Sequence, residues 1–407
     1  MYISEVNRCL LCKNARCQSA CPIRTRIPEV MGLLREGKKT EAQKLLFDHN
    51  PLSAVCAIVC NHEAQCLGNC IRGIKGEPIT FHKIEEELSL EYLMNNDFSY
   101  DASKIGRIAI VGAGPVGISG AIFLARQNFQ VTVYEKNEQI GGVLRYGIPS
   151  FRLDKNIVNR YQEILDELKV EVITQTTIGV DYTLDKLSND YDAVLLGIGA
   201  EEANKLNIEG EGLTHVHYAI DYLKDPSAFE LKGKVLVLGA GNVAMDAART
   251  AKRRGYDTSI YYRKSFEDMK ASPTEINDTI AEGIDFVYFQ SPVEITDEGV
   301  VFCDSENVID DKGRLQTKII TGTEHLVKCD SVIVAVSQRV SKQISATSIL
   351  NQASWGGIVV DENGRTNIKN VFAAGDGVTG SQTVVGAVND TKRVLDIIIS
   401  ELKEHSS

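Results

Sequence analysis

Eight of the ten cysteines fall in the first 70 residues, in two bursts. The first reads Cys9-x2-Cys12-x4-Cys17-x3-Cys21 with Pro22 behind it, and the second Cys56-x3-Cys60-x5-Cys66-x3-Cys70. Two cubane iron–sulfur clusters need eight ligands, and closely spaced thiolates are how a short peptide wraps one. Zinc is the first rival. A structural zinc site takes four ligands, often two C-x-x-C pairs, and the second burst contains no C-x-x-C. Disulfides are the second rival and require an oxidising compartment. The start, Met1-Tyr2-Ile3-Ser4-Glu5, lacks the basic and apolar regions of a signal peptide, so a cytoplasmic chain is expected. Cys303 and Cys329 lie far away, singly, and read as ordinary buried thiols.

The first burst resembles the ferredoxin run whose last cysteine, followed by proline, ligates the other of two clusters. Short helices are expected at Ile27 to Leu34, Thr40 to Phe47 and Phe81 to Leu93, with a polar linker over Asn95 to Ser103. Helices this short bury little core alone, so the clusters would supply much of the cohesion. At 407 residues the chain is long enough for two or three domains. A net charge of −11 without basic runs argues against nucleic acid. The uncharged stretch Ile108 to Ala125 is broken by glycines and a proline, and fits a strand–turn–helix rather than a membrane span.

From Lys104 onward strands alternate with helices, which implies parallel sheets and a doubly wound α/β fold. Arg107 to Val111 reads as a buried strand running into Gly112-x-Gly114-Pro115-x-Gly117 and an apolar helix. The first glycine makes the tight turn, the second lets a pyrophosphate approach the backbone, and the third lets helix and strand pack. A second strand, Gln130 to Tyr134, ends at Glu135, placed to accept from a ribose 2′-hydroxyl. This is a dinucleotide site, and the motif alone does not separate FAD from NAD. Gly141-Gly142 and the late Val371-Phe-Ala-Ala-Gly375-Asp376 resemble flavin-contacting elements of two-dinucleotide-domain flavoproteins, where an aspartate like Asp376 contacts the ribityl and pyrophosphate region. That resemblance favours FAD here.

A second such unit follows. Lys234 to Leu238 precedes Gly239-Ala-Gly241-Asn242-Val243-Ala244, and alanine is allowed at the third position. The next strand, Thr258 to Tyr262, ends in Arg263-Lys264 where an NAD site usually carries an acid. Arg249, Lys252, Arg253 and Arg254 lie on the preceding helix. Cations facing a ribose favour a 2′-phosphate and hence NADPH, with NADH and a solvated basic helix face left open. No catalytic side chain is expected, because hydride transfer from nicotinamide to flavin is carried by the cofactors. Residues 130 to 230 contain no cysteine, so a thioredoxin-reductase-like dithiol is absent and electrons must leave singly by way of the clusters.

Across nearly its whole length the chain resembles the NAD(P)H-oxidising module of glutamate synthase small subunits, also found at the N-terminus of dihydropyrimidine dehydrogenase. The matching segments are Arg8 to Pro22, Asn50 to Cys56, Gly142-x-Leu144-x-Tyr-Gly-Ile-Pro-x-Phe-x-Leu153, Gly241 to Asp246 and Phe372 to Val388, which includes Thr383 and Val384. The resemblance implies that Cys9, Cys12, Cys17 and Cys70 hold one [4Fe–4S] cluster. It implies that Cys21, Cys60 and Cys66 hold the other, with a fourth ligand at Glu85, or Glu86 one register away. Cys56 would be a non-ligand.

The expected organisation is thus a helical two-cluster domain over 1–103, a discontinuous FAD domain over 104–230 and 328–407, and an NAD(P)H domain over 231–327. The expected function is an electron-input subunit passing electrons from NADPH through FAD and two clusters to a partner. That partner is a separate flavin-containing subunit, or ferredoxin, in a dihydropyrimidine dehydrogenase-like or glutamate synthase-like assembly. No membrane partner is expected. A free-standing reductase with a metal-stabilised docking domain is the alternative, and a non-enzymatic redox sensor a third reading.

Overall fold

The computed structural model describes residues 3–100, 103–311 and 313–404. It divides into two compact units, one formed by 1–145, 150–200 and 339–407, the other by 146–149 and 201–338.

The first unit opens with helices. Ile27–Arg35 starts with Pro28 at its N-terminus, where a missing N–H costs nothing, and carries Glu29 and Arg35 at the ends that suit their charges. Lys39–His49, Ser53–Val59 and Phe81–Asn95 follow. Along the last of these Phe81, Ile84, Glu85 and Leu88 are buried, the spacing of one helical face. Glu85 therefore shares the inward side with three apolar residues, whereas Glu86 lies off that face and is only half-buried.

The doubly wound part of this unit is a five-stranded parallel sheet with the Rossmann strand order. Its order is Val371–Ala373, Ala193–Leu196, Arg107–Val111, Gln130–Tyr134, Glu171–Ile173. The strands are buried runs of Val, Ile, Leu and Ala, as sheets covered on both faces require. The helical segment is fastened to this sheet's helices by polar contacts. The buried Tyr161 hydroxyl donates to the Pro51 carbonyl at 2.9 Å. The Arg160 guanidinium donates to the carbonyls of Leu93, at 2.9 Å, and Asn96, at 2.7 Å.

The second unit repeats the plan, with the parallel order Val216–Tyr218, Ser331–Val334, Lys234–Leu238, Asp257–Tyr261, Asp285–Val287. An antiparallel sheet of Gln290–Thr296, Gly299–Ile309, Leu315–Ile319 and His325–Lys328 is added to it. The unit is wider than the expected 231–327, because Val216–Tyr218 and Ser331–Val334 pair into its sheet. Among the described residues no helix is long and apolar enough to cross a membrane.

Candidate functional site

Three places gather the residues singled out in the sequence. In the first unit, the thiols of the two bursts line two adjacent cavities. One is walled by Cys9, Cys12, Cys17 and Cys70, with Leu10, Arg16, Ile71 and Arg72 around it. The other is walled by Cys21, Cys60, Cys66 and Glu85, with Asn50, Cys56, His62 and Val385. Cys66, Ile27 and Phe81 line both, so the cavities share a wall.

The electrostatics follow this grouping. Burial pushes the Cys17 thiol up to about 11, and mutual repulsion with Cys70, Cys9 and Cys12 adds to it. Burial, then repulsion from Cys12 and Cys70, raises Cys9 as well. Around the second cavity, burial and then Glu85 and Cys21 raise Cys66. Cys60 is pushed well up, first by its hydrogen bond with the Cys56 thiol and then by burial. Glu85 is a buried carboxyl, with no ion pair among the described residues, that burial pushes to about 8. A buried carboxyl beside buried thiols is a costly arrangement unless a cation replaces their protons. Among the described residues no three such side chains converge on one point that would hold a single metal ion. They stand instead around cavity walls, and a cubane carries its ligands on its outer corners. The donors present therefore fit iron–sulfur clusters. Cys56 is held by Asn50, whose Nδ2 donates to its sulfur at 3.4 Å.

The second place is the turn after Arg107–Val111. Gly112 has φ +97°, and a Cβ there would stand 2.6 Å from the Gly197 carbonyl oxygen. A Cβ on Gly117 would sit 2.0 Å from the Gly112 oxygen, so helix and strand meet here only because the residue is glycine. The helix Pro115–Ala125 then begins with Pro115 and leaves its N-terminal amides free for a phosphate. Glu135 is buried, and its carboxylate accepts from Ala113 N–H at 2.8 Å and from the Asn137 backbone at 2.8 Å. The acid thus also braces the glycine-rich turn, a role its spacing did not reveal. Gly142 has φ +51°, and a Cβ on it would come 2.8 Å from Gly114 Cα, so these two turns abut; buried Leu144 follows. Gly375 caps the short helix Asp376–Thr379. Burial raises the Asp376 carboxyl to about 6, and Gln382 N–H donates to it at 3.1 Å. Thr383 and Val384 lead into the helix Val384–Glu404, whose second residue, Val385, reaches the inner cavity.

The third place lies in the second unit. Gly239, at φ +140°, would clash through a Cβ with the Ala335 carbonyl at 2.2 Å, while around Gly241 the space is open. Asn242 Oδ1 accepts from Ser272 N–H at 2.9 Å, and Val243 packs partly buried against the core. Two of the helix cations are paired with acids. Buried Arg249 donates to Glu275 and Glu282, at 2.8 Å each, and to Asp278 at 3.2 Å. Arg253, expected to face the ribose, pairs with Glu282 at 2.7 Å, because the acid-bearing helix Pro273–Ala281 lies against its own. Arg263 and Lys264 remain at the end of the strand Asp257–Tyr261, Arg263 exposed and neither in an ion pair among the described residues.

Glycine-rich turns, a bracing acid and parallel sheets of this order are the architecture of a dinucleotide-binding protein. The pyridine nucleotide-disulphide oxidoreductase family matches residues 106–391. A second family, dihydropyrimidine dehydrogenase domain II with its 4Fe-4S cluster, matches residues 1–97. The small chain of the NADPH-dependent glutamate synthase of Escherichia coli is 31% identical over 430 residues, covering 98% of this chain and 91% of that one. The β subunit of the NADP⁺-dependent formate dehydrogenase of Moorella thermoacetica is 31% identical, covering 96% of this chain and 60% of the subunit. Among solved structures, FprA of Mycobacterium tuberculosis in complex with NADPH superposes with a TM-score of 0.65 at 21% identity, over 74% of this chain and 85% of that one. The chain belongs to the pyridine nucleotide-disulphide oxidoreductase family, in the group of glutamate synthase small chains that carry an N-terminal 4Fe-4S domain. It is an NAD(P)H-dependent flavin and iron–sulfur oxidoreductase.

Proposed function

We propose that the chain is the electron-input subunit of a larger enzyme, taking electrons from NADPH at FAD and delivering them singly, through two [4Fe–4S] clusters, to a flavin-containing partner subunit or ferredoxin. The observation that carries this reading is the pair of cysteine-lined cavities, which share a wall and of which one is touched by Val385. Cys9, Cys12, Cys17 and Cys70 would hold the outer cluster, and Cys21, Cys60, Cys66 and Glu85 the inner one. When bound, the cofactors supply the hydride acceptance and one-electron steps that amino acid side chains do not.

The chain's own residues bind, orient and insulate. Gly112, Gly114, Pro115, Gly117 and Gly142 let the FAD pyrophosphate approach the backbone, while Glu135 and Asp376 accept from its ribose and ribityl hydroxyls. Leu144, Gly375, Thr383 and Val384 line the flavin. Gly239, Gly241, Asn242 and Val243 do the same for the nicotinamide coenzyme, with Arg263 and Lys264 on the 2′-phosphate. Arg253 is proposed with them, its guanidinium half-exposed and paired with Glu282. Relatives named as a glutamate synthase small chain and a formate dehydrogenase β subunit support a subunit role.

The test is anaerobic affinity purification from the native cell extract, with the co-purifying chain identified by mass. A flavin-dependent barrel subunit would indicate pyrimidine or similar enone reduction, and a glutamate synthase large subunit would indicate that activity. A chain that emerges alone yet reduces added carriers with NADPH would replace the partnered reading by a free-standing reductase.

A further inference from the structure

The outer cavity is bordered by basic and exposed apolar side chains. Between Val6 and Pro28, the segment that supplies Cys9, Cys12 and Cys17, there are five cations and no acid, in a chain of net charge −11. Arg8 and Arg26 are neutralised by Glu5 and Glu29. Lys13 and Arg16, and Arg72 and Lys75 from the segment that follows Cys70, form no ion pair among the described residues, and Glu77 is the one acid between Ile71 and Thr80. Between the cations lie apolar side chains that a lone subunit would normally cover: Leu10 is 57% exposed, Ile71 43% and Ile74 62%. Leu10, Arg16, Ile71 and Arg72 also line the cavity itself, so the apolar spot and its basic rim sit over the outer thiols.

We propose that this face is the electron exit, and that it docks a partner protein of acidic surface whose own redox group approaches the outer cavity. The inference rests on the electron-input reading above and adds the place and charge of the partner. An apolar centre excludes water at the contact, while a charged rim steers the encounter and sets the register. Four unpaired cations on an otherwise acidic protein give a complementary field for an acidic partner and repel a basic one.

The competing explanation is that the cations merely offset the negative charge of a cluster. The two separate in the holoprotein variant K13E/K75E, whose substituted side chains are exposed. The probes are an acidic plant-type ferredoxin and a basic cytochrome c. Binding is read by titration at several salt concentrations, electron transfer by NADPH-driven reduction, and the clusters by their EPR signals and potentials. The expected result is a loss of ferredoxin affinity of about tenfold with a flattened salt dependence, and no loss with cytochrome c. Cluster signals and potentials stay in place. The milder K13Q/K75Q variant should show a smaller loss of the same sign. Unchanged ferredoxin binding, equal losses for both carriers, or a shifted cluster potential with binding intact would overturn the proposal. If the unsubstituted protein reduces neither carrier with NADPH, the electron-input reading itself has failed, which the binding data distinguish from a failure of the docking face.

Discussion

The two cysteine cavities share a wall, yet they face different ways. The inner one is built from buried groups, Cys21, Cys66 and Glu85, and is touched by Val385 near the start of the helix Val384–Glu404. The outer one is walled by half-buried thiols and ringed by exposed Leu10 and Ile71 and two arginines. The difference teaches a direction. On the electron-input reading proposed above, a cluster in the inner cavity would lie on the side of the flavin and one in the outer cavity on the side of the partner.

The largest expected effect separates the two cavities outright. Cys21→Ser should abolish NADPH-driven reduction of any protein carrier and remove the inner EPR signal, while flavin-level reduction of ferricyanide persists. Cys12→Ser should also stop delivery to a carrier but leave the inner signal reducible by NADPH. If Cys21→Ser leaves carrier reduction intact, the inner cavity is not on the path.

Substitution upstream should starve both cavities alike. Gly117→Ala places a Cβ 2.0 Å from the Gly112 carbonyl oxygen. Such overpacking costs about 1–3 kcal/mol, so FAD content per chain and thermal stability should both fall. Full flavin occupancy in this variant would mean the turn is not the flavin cradle. At the entry, Arg263→Ala should raise the KM for NADPH about tenfold with that for NADH unchanged, the value of one charge-assisted contact. Equal changes for the two coenzymes would remove Arg263 from the 2′-phosphate.

Glu85→Ala sharpens the contrast between the cavities, because it should alter the EPR spectrum and potential of the inner cluster alone. Glu86→Ala should do neither. The smallest effect concerns how the inner half is fastened. Tyr161→Phe removes the hydroxyl that satisfies the Pro51 carbonyl and should lower stability to urea by about 1–3 kcal/mol without changing cofactor content. A neutral result would shift the anchoring to Arg160.

Much of this was legible from residue spacing. Both glycine-rich turns, the strands feeding them and the helices at Ile27, Lys39 and Phe81 follow from local pattern, since turn geometry and helical periodicity are encoded over a few residues. The grouping of thiols was not legible from spacing, because Cys70 joins the first burst and Cys21 the second, and only a family resemblance suggested it. Long-range partners were hidden for the same reason. Nothing near Arg253 in sequence announces Glu282, and nothing near Glu135 shows that its carboxylate braces the Ala113 amide. The second unit's breadth was missed because Val216–Tyr218 finds its place only through pairing with Ser331–Val334.

What the eight side chains around the two cavities hold decides whether electrons can leave this chain singly. Iron and acid-labile sulfide, assayed in anaerobically isolated protein, should each come to about eight per chain, the content of two cubane clusters. Zinc without sulfide, or about four of each, would contradict it: the first would make the N-terminal segment a metal-stabilised docking domain, and the second would leave one cavity off the electron path.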